Sequence, residues 1–375
     1  MTRKIGILQP EVPHYRTEFF QRLADNCELM DLYVYNSLEK TRKQGFNVNE
    51  KSLSPTLPHG EGARNSNGGV RYLANRNVHE VLFYNPLPLL NKRYDTLVLM
   101  LHFAHVTTWL LLLTKWLHRK KIVVWGQGIS VKRYLQEEKK PSRWLRWQIA
   151  LSDGAWIYME KEAEMWRHIF PQKPIVALNN SLTNVSMMLD YRPTVSKEVL
   201  RNKYGIGEET VFIYCARFEN NYRRVDLLVE AIERLDSQKY GFIIIGEGKN
   251  KPDFTKYKNV HDFGAVYDNE IKRELFAAAD IYFQPGWVGL SIVEAMAYGK
   301  PVFTFKRSEE TLQCVEYDYI KDGWNGLIFD DMNAFNAKVN KLSKEEIERM
   351  GGNANHFVRE NLTIDKMVQN ALSIL

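Results

Sequence analysis

Arg217 closes the apolar run VFIYCA, and Arg223 and Arg224 follow in a polar loop ahead of a helix-length segment. Guanidinium groups at the carboxyl end of a buried strand face the crevice where open α/β sheets bind ligands. Two of them could hold a pyrophosphate bidentately, unless they are solvated or paired with Glu219 and Asp226. A second stretch, ADIYFQPGWVGLSIVEAMAYGKPVFT from Ala279 to Thr304, reads strand, glycine loop, helix, strand. Gly286 and Gly289 would let the backbone turn tightly and approach a ligand. With Ser291 capping the helix that follows, free N–H groups would point at a phosphate. Glu294 falls three residues later, where its carboxylate could accept bonds from a ribose diol. Ser291-Ile292-Val293-Glu294 also spells a capping box, and spacing alone favours the cap.

A third constellation, Gly246-Glu247-Gly248, follows the strand GFIII and invites a dinucleotide reading. It lacks a third glycine and runs into KNKPDFTKYK rather than an apolar-periodic helix, so a nicotinamide dehydrogenase is not expected. Three cysteines, Cys27, Cys215 and Cys314, lie far apart with no CxxC pair, which argues against a disulfide framework or a structural zinc site. No DxD motif offers a manganese site, and no metal is expected.

The elements that must position these residues are legible from periodicity. Short apolar runs alternate with helix-length amphipathic segments, the pattern of parallel sheets covered by helices, so the class is α/β. In the first half, residues 4–8, 29–35, 96–101, 121–125, 155–159 and 175–178 read as strands. In the second, 211–216, 241–245, 260–263, 280–284 and 301–305 do so. Residues 40–68, rich in Lys, Asn, Ser, Pro and Gly, read as a long, weakly ordered loop. The chain of 375 residues is long enough for two domains. The division expected is 1–180 and 208–360, joined by a connection at 181–207 that carries Pro193 and the helical stretch Ser196 to Tyr204. Residues 361–375 form a last helix that returns to the first domain.

Hydrophobic residues make up 45% and charged residues 26% of the chain, ordinary globular values that exclude a disordered or collagen-like protein. The apolar run Ile5 to Leu8 is too short for a signal-peptide core, so a cytoplasmic, reducing setting is expected and the sequons at Asn179, Asn184 and Asn361 should go unused. Net charge is +6, but unevenly placed: Lys115 to Arg146 holds ten Lys/Arg against Glu137 and Glu138, and seven of nine tryptophans fall between Trp109 and Trp166. Basic and aromatic residues together point to an anionic surface. Leu101 to Leu117 is strongly apolar but holds His102, His105, three threonines and Lys115, short of the roughly 20 apolar residues of a membrane span, and reads as a buried helix. On a helical wheel, Trp144, Leu145, Trp147 and Leu151 share one broad face with Arg143 and Arg146 toward the other. That pattern fits either a membrane-interface helix or an ordinary helix with its tryptophans packed inward.

The ordered set CARFENNYRRVDLLVEA, IIGEG, NVHDFGAV, ADIYFQPGWVGLSIVEAMAYGKPV and DGWNGLIF, over about residues 205–340, resembles the carboxyl-terminal donor domain of family 4 of the retaining glycosyltransferases. The resemblance implies a GT-B fold, two Rossmann-like domains facing across a cleft, with a nucleotide sugar held mainly by the second and an acceptor by the first. It implies that Arg217 and Arg223 bind the diphosphate and that Glu294, the second glutamate of the family's E-x7-E motif, holds the ribose. Gly286 stands where the first glutamate would be. The loop to Arg223 is one residue longer than the common form, Ala216 replaces a glycine, and Arg224 replaces the glycine after the family's lysine. Val266 falls where the family tends to place the base, and Gly246, Gly286, Gly289, Leu290 and Ser291 line the donor.

In the first domain, Pro13-His14-Tyr15-Arg16 takes the place of a glycine loop, and Gln127-Gly128 that of a His-Gly pair. Gln127 could position a sugar hydroxyl but cannot titrate. His102 and His105 end a strand toward the same cleft and as lone histidines read as structural. The resemblance keeps His102 with Tyr15, Arg16 and Gln127 on the acceptor side. No nucleophile is nominated and no cofactor is expected beyond the nucleotide sugar as substrate. The partners implied are a nucleoside-diphosphate sugar, a lipid-linked glycan acceptor and an anionic membrane surface, with no nucleic acid. A catalytically silent nucleotide-sugar-binding protein of the same fold is the alternative.

Overall fold

The computed structural model describes residues 3–36 and 69–375. The expected loop at 40–68 lies outside them. The chain forms two compact units, Met1–Thr183 with Ile364–Leu375, and Asn184–Thr363.

The first unit carries β1 (Lys4–Gln9), β2 (Leu29–Val34), β3 (Val70–Tyr72), β4 (Asn75–Val78), β5 (Val81–Tyr84), β6 (Thr96–Met100), β7 (Lys121–Gly126), β8 (Gly154–Ile157) and β9 (Ile175–Ala177). Seven of them form a parallel sheet in the order β3-β2-β1-β6-β7-β8-β9, and β4 and β5 pair as a separate hairpin. The central strands are apolar throughout because helices cover both faces. Ile5, Leu97, Val98, Ile122 and Val124 are fully buried. The closing helix Ile364–Leu372 belongs to this unit. It packs on the Thr17–Asp25 helix, where Arg22 pairs with Asp365.

The second unit carries β10 (Thr210–Cys215), β11 (Tyr240–Ile245), β12 (Val260–Asp262), β13 (Ile281–Phe283), β14 (Val302–Phe305) and β15 (Gly326–Phe329), parallel in the order β12-β11-β10-β13-β14-β15. Phe212, Phe283, Phe303 and Phe335 fill the core under this sheet at zero exposure, in ring contacts of 5.0 to 6.4 Å. Each contributes roughly 2 kcal/mol of burial. The chain winds outward from β10 through β11 and β12, then returns to β13 on the other side. The β10/β13 seam is therefore a topological switch point, where carboxyl-end loops diverge and leave a crevice. The β1/β6 seam plays the same part in the first unit.

The expected strands are present within two residues at each end. β3, β4, β5 and β15 had not been read. β3 and β4 have exposed residues and no apolar run, β5 is an apolar run of only four residues, VLFY, and β15 follows directly on the turn DGWN.

Candidate active site

At the second switch point β10 ends at Cys215 and β13 at Phe283, and the two ends are tied by Tyr282, whose hydroxyl donates to the Cys215 carbonyl at 3.2 Å. Beyond β13, Gln284 is fully buried and organises the loop. Its Nε2 donates to the carbonyls of Gly286 at 3.2 Å and Trp287 at 2.7 Å, while its Oε1 accepts from Tyr282 and from Ser291. Gln313, also fully buried, accepts from the Val288 amide and donates to Thr304 and Phe305. Neither glutamine was singled out from the sequence. Gln284 carried a readable signal, a polar residue closing the apolar strand IYF ahead of Pro285.

Ser291 does not cap the helix Ser291–Ala297. The N-cap is Leu290, the Ser291 hydroxyl bonds Gln284, and the capping box read from the spacing is absent. Glu294 turns instead to Lys272 of the Asn269–Ala278 helix, whose Nζ donates to Oε2 at 2.7 Å. Burial works against the Lys272 charge, but Cys215 and Glu294 beside it hold its pKa above the usual lysine value. Lys272 was also missed. It lies on a different helix, and no local pattern links it to Glu294.

The turn also differs from its sequence reading. The left-handed residue is Trp287, with φ 54°, and neither Gly286 nor Gly289 has positive φ. Gly286 is required for another reason: a Cβ there would lie 2.5 Å from the Tyr222 carbonyl and 2.9 Å from Arg224 Cγ. The long loop after β10 is folded down on this position, and the Tyr222 ring stacks on Trp287 at 4.8 Å. At Gly289 a Cβ would meet only Cys314 Sγ at 3.9 Å, so space does not demand glycine there.

Arg224 takes the left-handed conformation at φ 50° and pairs with Asp226 and the Thr311 hydroxyl, which turns it to structural work. Arg223 is half-buried, and its Nε is buried without a partner. Burial raises the pKa of Tyr214 and of the Cys215 and Cys314 thiols, Cys215 to about 11. The Arg223 charge counters this at all three, which sets its guanidinium over the β10 end. Arg217 is exposed just past the same end. Gly246 and Gly248 have φ near +150°, and Cβ atoms there would collide with Ala216 and Phe218. The GEG segment is thus a seat for the arginine loop. Val266 is half-buried beyond β12.

In the first unit, Arg16 is buried, with its guanidinium 5.1 Å over Trp125 and 4.8 Å over Tyr158 and a bond to Asn180 at 3.2 Å. The half-buried Tyr15 gives its carbonyl to the Thr183 amide. His102, exposed beyond β6, stacks on Phe103 at 5.1 Å and meets buried His105 at 4.8 Å. Burial, with His102 adding to it, pushes His105 down to about 3, so the ring is neutral. Gln127 is half-buried after β7. Gln9 closes β1 at 1% exposure and bonds Met100 Sδ across the first switch point, another residue the sequence reading passed over. Among the described residues no cluster of His, Cys, Asp or Glu could hold a metal ion.

These two doubly wound sheets have the GT-B fold. The chain aligns over its whole length with Anabaena HepE in complex with UDP and glucose, at TM-score 0.59 and 15% identity, covering all of both chains. It aligns with a lipopolysaccharide outer core galactosyltransferase, WaaB, at TM-score 0.64 and 13% identity, covering 99% of this chain and 98% of that one. With a Staphylococcus aureus TarM variant in complex with UDP, the TM-score is 0.59 at 13% identity, covering 100% and 99%. Within that fold, residues 209–345 match the family described as glycosyl transferases group 1. No curated protein sequence matches the chain.

Proposed function

We propose that this protein is a metal-independent retaining glycosyltransferase of family 4. It would move a sugar from a nucleoside diphosphate, UDP first and GDP next, onto a lipid-linked or polysaccharide acceptor of cell-surface glycan such as lipopolysaccharide or capsule. The observation that carries this reading is Arg223, an arginine with a buried, unpartnered Nε over the β10/β13 switch point of the matched domain. As the sugar becomes oxocarbenium-like, charge builds on the departing diphosphate. Arg223 and Arg217 would neutralise it in place of a divalent ion, so turnover should persist in EDTA. A carboxylate has about four lone-pair sites, so Glu294 can hold Lys272 and still accept from a ribose diol. The backbone of Gly289 to Ser291 and the Gly246 loop would line the diphosphate and sugar, with the base near Val266. Tyr15, His102 and Gln127 would meet the acceptor, with Arg16 holding Tyr15 in place from within. A lipid-linked acceptor puts the enzyme in the cytoplasm at the inner face of the cell membrane.

The test is a thermal shift with UDP, GDP, ADP and CMP in turn, followed by donor hydrolysis. A ligand that binds only the native state raises stability by RT ln(1 + [L]/Kd). The rise expected is with UDP. Absence of both a shift and hydrolysis with every sugar nucleotide would overturn the reading.

One observation favours a second reading, a silent nucleotide-sugar-binding protein. The space of the first motif glutamate is taken by the Tyr222 carbonyl, so no carboxylate reaches the sugar from position 286. Nucleotide binding with neither transfer nor donor hydrolysis would establish it.

A further inference from the structure

The helix at Val106–Leu113 was expected to be buried, but it turns only one face inward. Leu111 and Leu112 are at 1% and 3% exposure, whereas Val106, Leu110 and Leu113, spaced i, i+4, i+7, are at 38%, 51% and 60%. The next turn adds Trp116 at 75% and Leu117 at 61%. The neighbouring helix Arg143–Leu151 also departs from its wheel. Leu145, Gln148 and Ile149 face the core, while Trp144 and Trp147 stand out in solvent at 48% and 62%. The two helices are in contact, and Trp109 meets the Trp144 ring at 6.2 Å, so the exposed groups form one apolar field.

Positive charge surrounds this field. Arg119 and Lys121 line an open hollow with Trp116, in which Lys115 pairs with Asp153 at 2.8 Å and Lys120 is buried. Arg143 lies 5.3 Å over the Trp144 ring, and Arg143, Arg146, Lys139 and Lys140 are exposed with no ion pair among the described residues. The two acids of the segment are already used, Glu137 by Arg133 and Glu138 by Lys161. Large exposed apolar patches on a soluble surface mark interaction sites. Tryptophan and leucine ringed by lysine and arginine suit a partner that is apolar below and anionic above. No helix among the described residues is long and apolar enough to cross a membrane.

We infer that this face, built from the 106–118 and 143–151 helices, seats the protein on an anionic phospholipid bilayer, with Leu113, Trp116 and Trp147 entering the interface and the arginines meeting phosphates. This refines the membrane-facing part of the proposed function. It needs no sugar donor, so its failure and that of the glycosyltransferase reading are separable. The full chain is sedimented with vesicles of phosphatidylcholine alone and of phosphatidylcholine with equal phosphatidylglycerol, at low and raised salt. Binding is expected to the anionic vesicles, with a blue shift of tryptophan emission and weakening as salt rises. Leu113→Glu with Trp116→Glu should abolish it. Arg143→Glu with Arg146→Glu should weaken it roughly tenfold or more. All four positions are exposed, so melting temperature and nucleotide response should hold. No sedimentation with anionic vesicles overturns the inference, as does binding undiminished in both variants. So does a concentration-dependent dimer that Leu113→Glu disperses while vesicles go unbound.

Discussion

Lys272 and Glu294 come from different helices and meet at 2.7 Å beside Cys215, at the carboxyl end of the central strand. The carboxylate that the sequence assigned either to a helix cap or to a ribose is thus held by an ammonium group. Removing one member of a largely buried pair leaves the other charge without its partner. Glu294→Ala should cost about 3 kcal/mol of stability and Lys272→Met at least as much, since it leaves the more buried carboxylate without its partner. If the pair also serves the donor, Lys272→Met should raise KM for the nucleotide sugar more than it lowers kcat, while Glu294→Ala raises KM and lowers kcat together. The Lys272 pKa is raised, so the pair's contribution is fully present below the ordinary lysine value and is lost only as pH rises beyond it. Urea melts of the parent and both variants at pH 7 and pH 11.5 check the sign.

Restoring the family glutamate should not restore a family site. A Cβ at position 286 would already stand 2.5 Å from the Tyr222 carbonyl. Gly286→Glu must therefore push the Asn221–Arg223 turn away from Trp287. The expected result is a lower melting temperature and loss of the nucleotide shift, and even Gly286→Ala should show part of both. A fully stable Gly286→Glu with improved turnover would mean that the loop yields freely, and that the departure at this position is only a missing group.

The departures explain what the sequence could and could not tell. Strand positions were legible because buried parallel strands are apolar on both faces, as in Phe212 to Tyr214 and Phe242 to Ile245. The site was legible wherever a charged residue directly follows such a strand, as Arg217 does. It was misread where the partner is remote in sequence. Glu294 has its Ser291 three residues away, a spacing that mimics a cap, yet the carboxylate bonds a lysine 22 residues earlier. Likewise the helical wheel of 143–151 groups Trp144 with Leu145, but only the neighbouring helix and the sheet decide which side is covered. Arg224 shows the reverse case. Where the resemblance implies glycine, Arg224 itself takes a left-handed backbone, at φ 50°.

Arg223 should be the more sensitive of the two diphosphate arginines. Its guanidinium is half-buried with an unpartnered Nε, whereas Arg217 is exposed. A charge held in a water-poor site contributes more to a developing anion than one in solvent. Arg223→Ala should reduce kcat on the order of a hundredfold to a thousandfold, and Arg217→Ala less. Arg223→Lys should recover part of the loss, since a point charge survives but the planar fork does not. Relieved of burying an unpaired cation, Arg223→Ala should melt no lower than the parent in the absence of nucleotide. Steady-state rates and nucleotide-free melts of the three variants decide it.

His105 makes the first unit acid-sensitive. It is buried at 6% exposure against the edge of the Tyr35 ring, and its pKa is pushed from 6.5 to about 3, by burial first and by His102 second. The unfolded chain binds a proton near pH 6.5 that the folded chain refuses. Above that pH the residue is neutral in both states and costs nothing. As pH falls from 6.5 toward 3 the unfolded state gains, and stability drops by about 1.4 kcal/mol per pH unit from this residue alone. His105→Gln removes the titration while keeping a polar group. It should be less stable than the parent at pH 7.5, but the gap should narrow steadily at pH 6, 5 and 4.5 in urea titrations. A gap that stays constant across that range would show that the histidine is protonated in the folded state, and that its Nδ1 has a partner there.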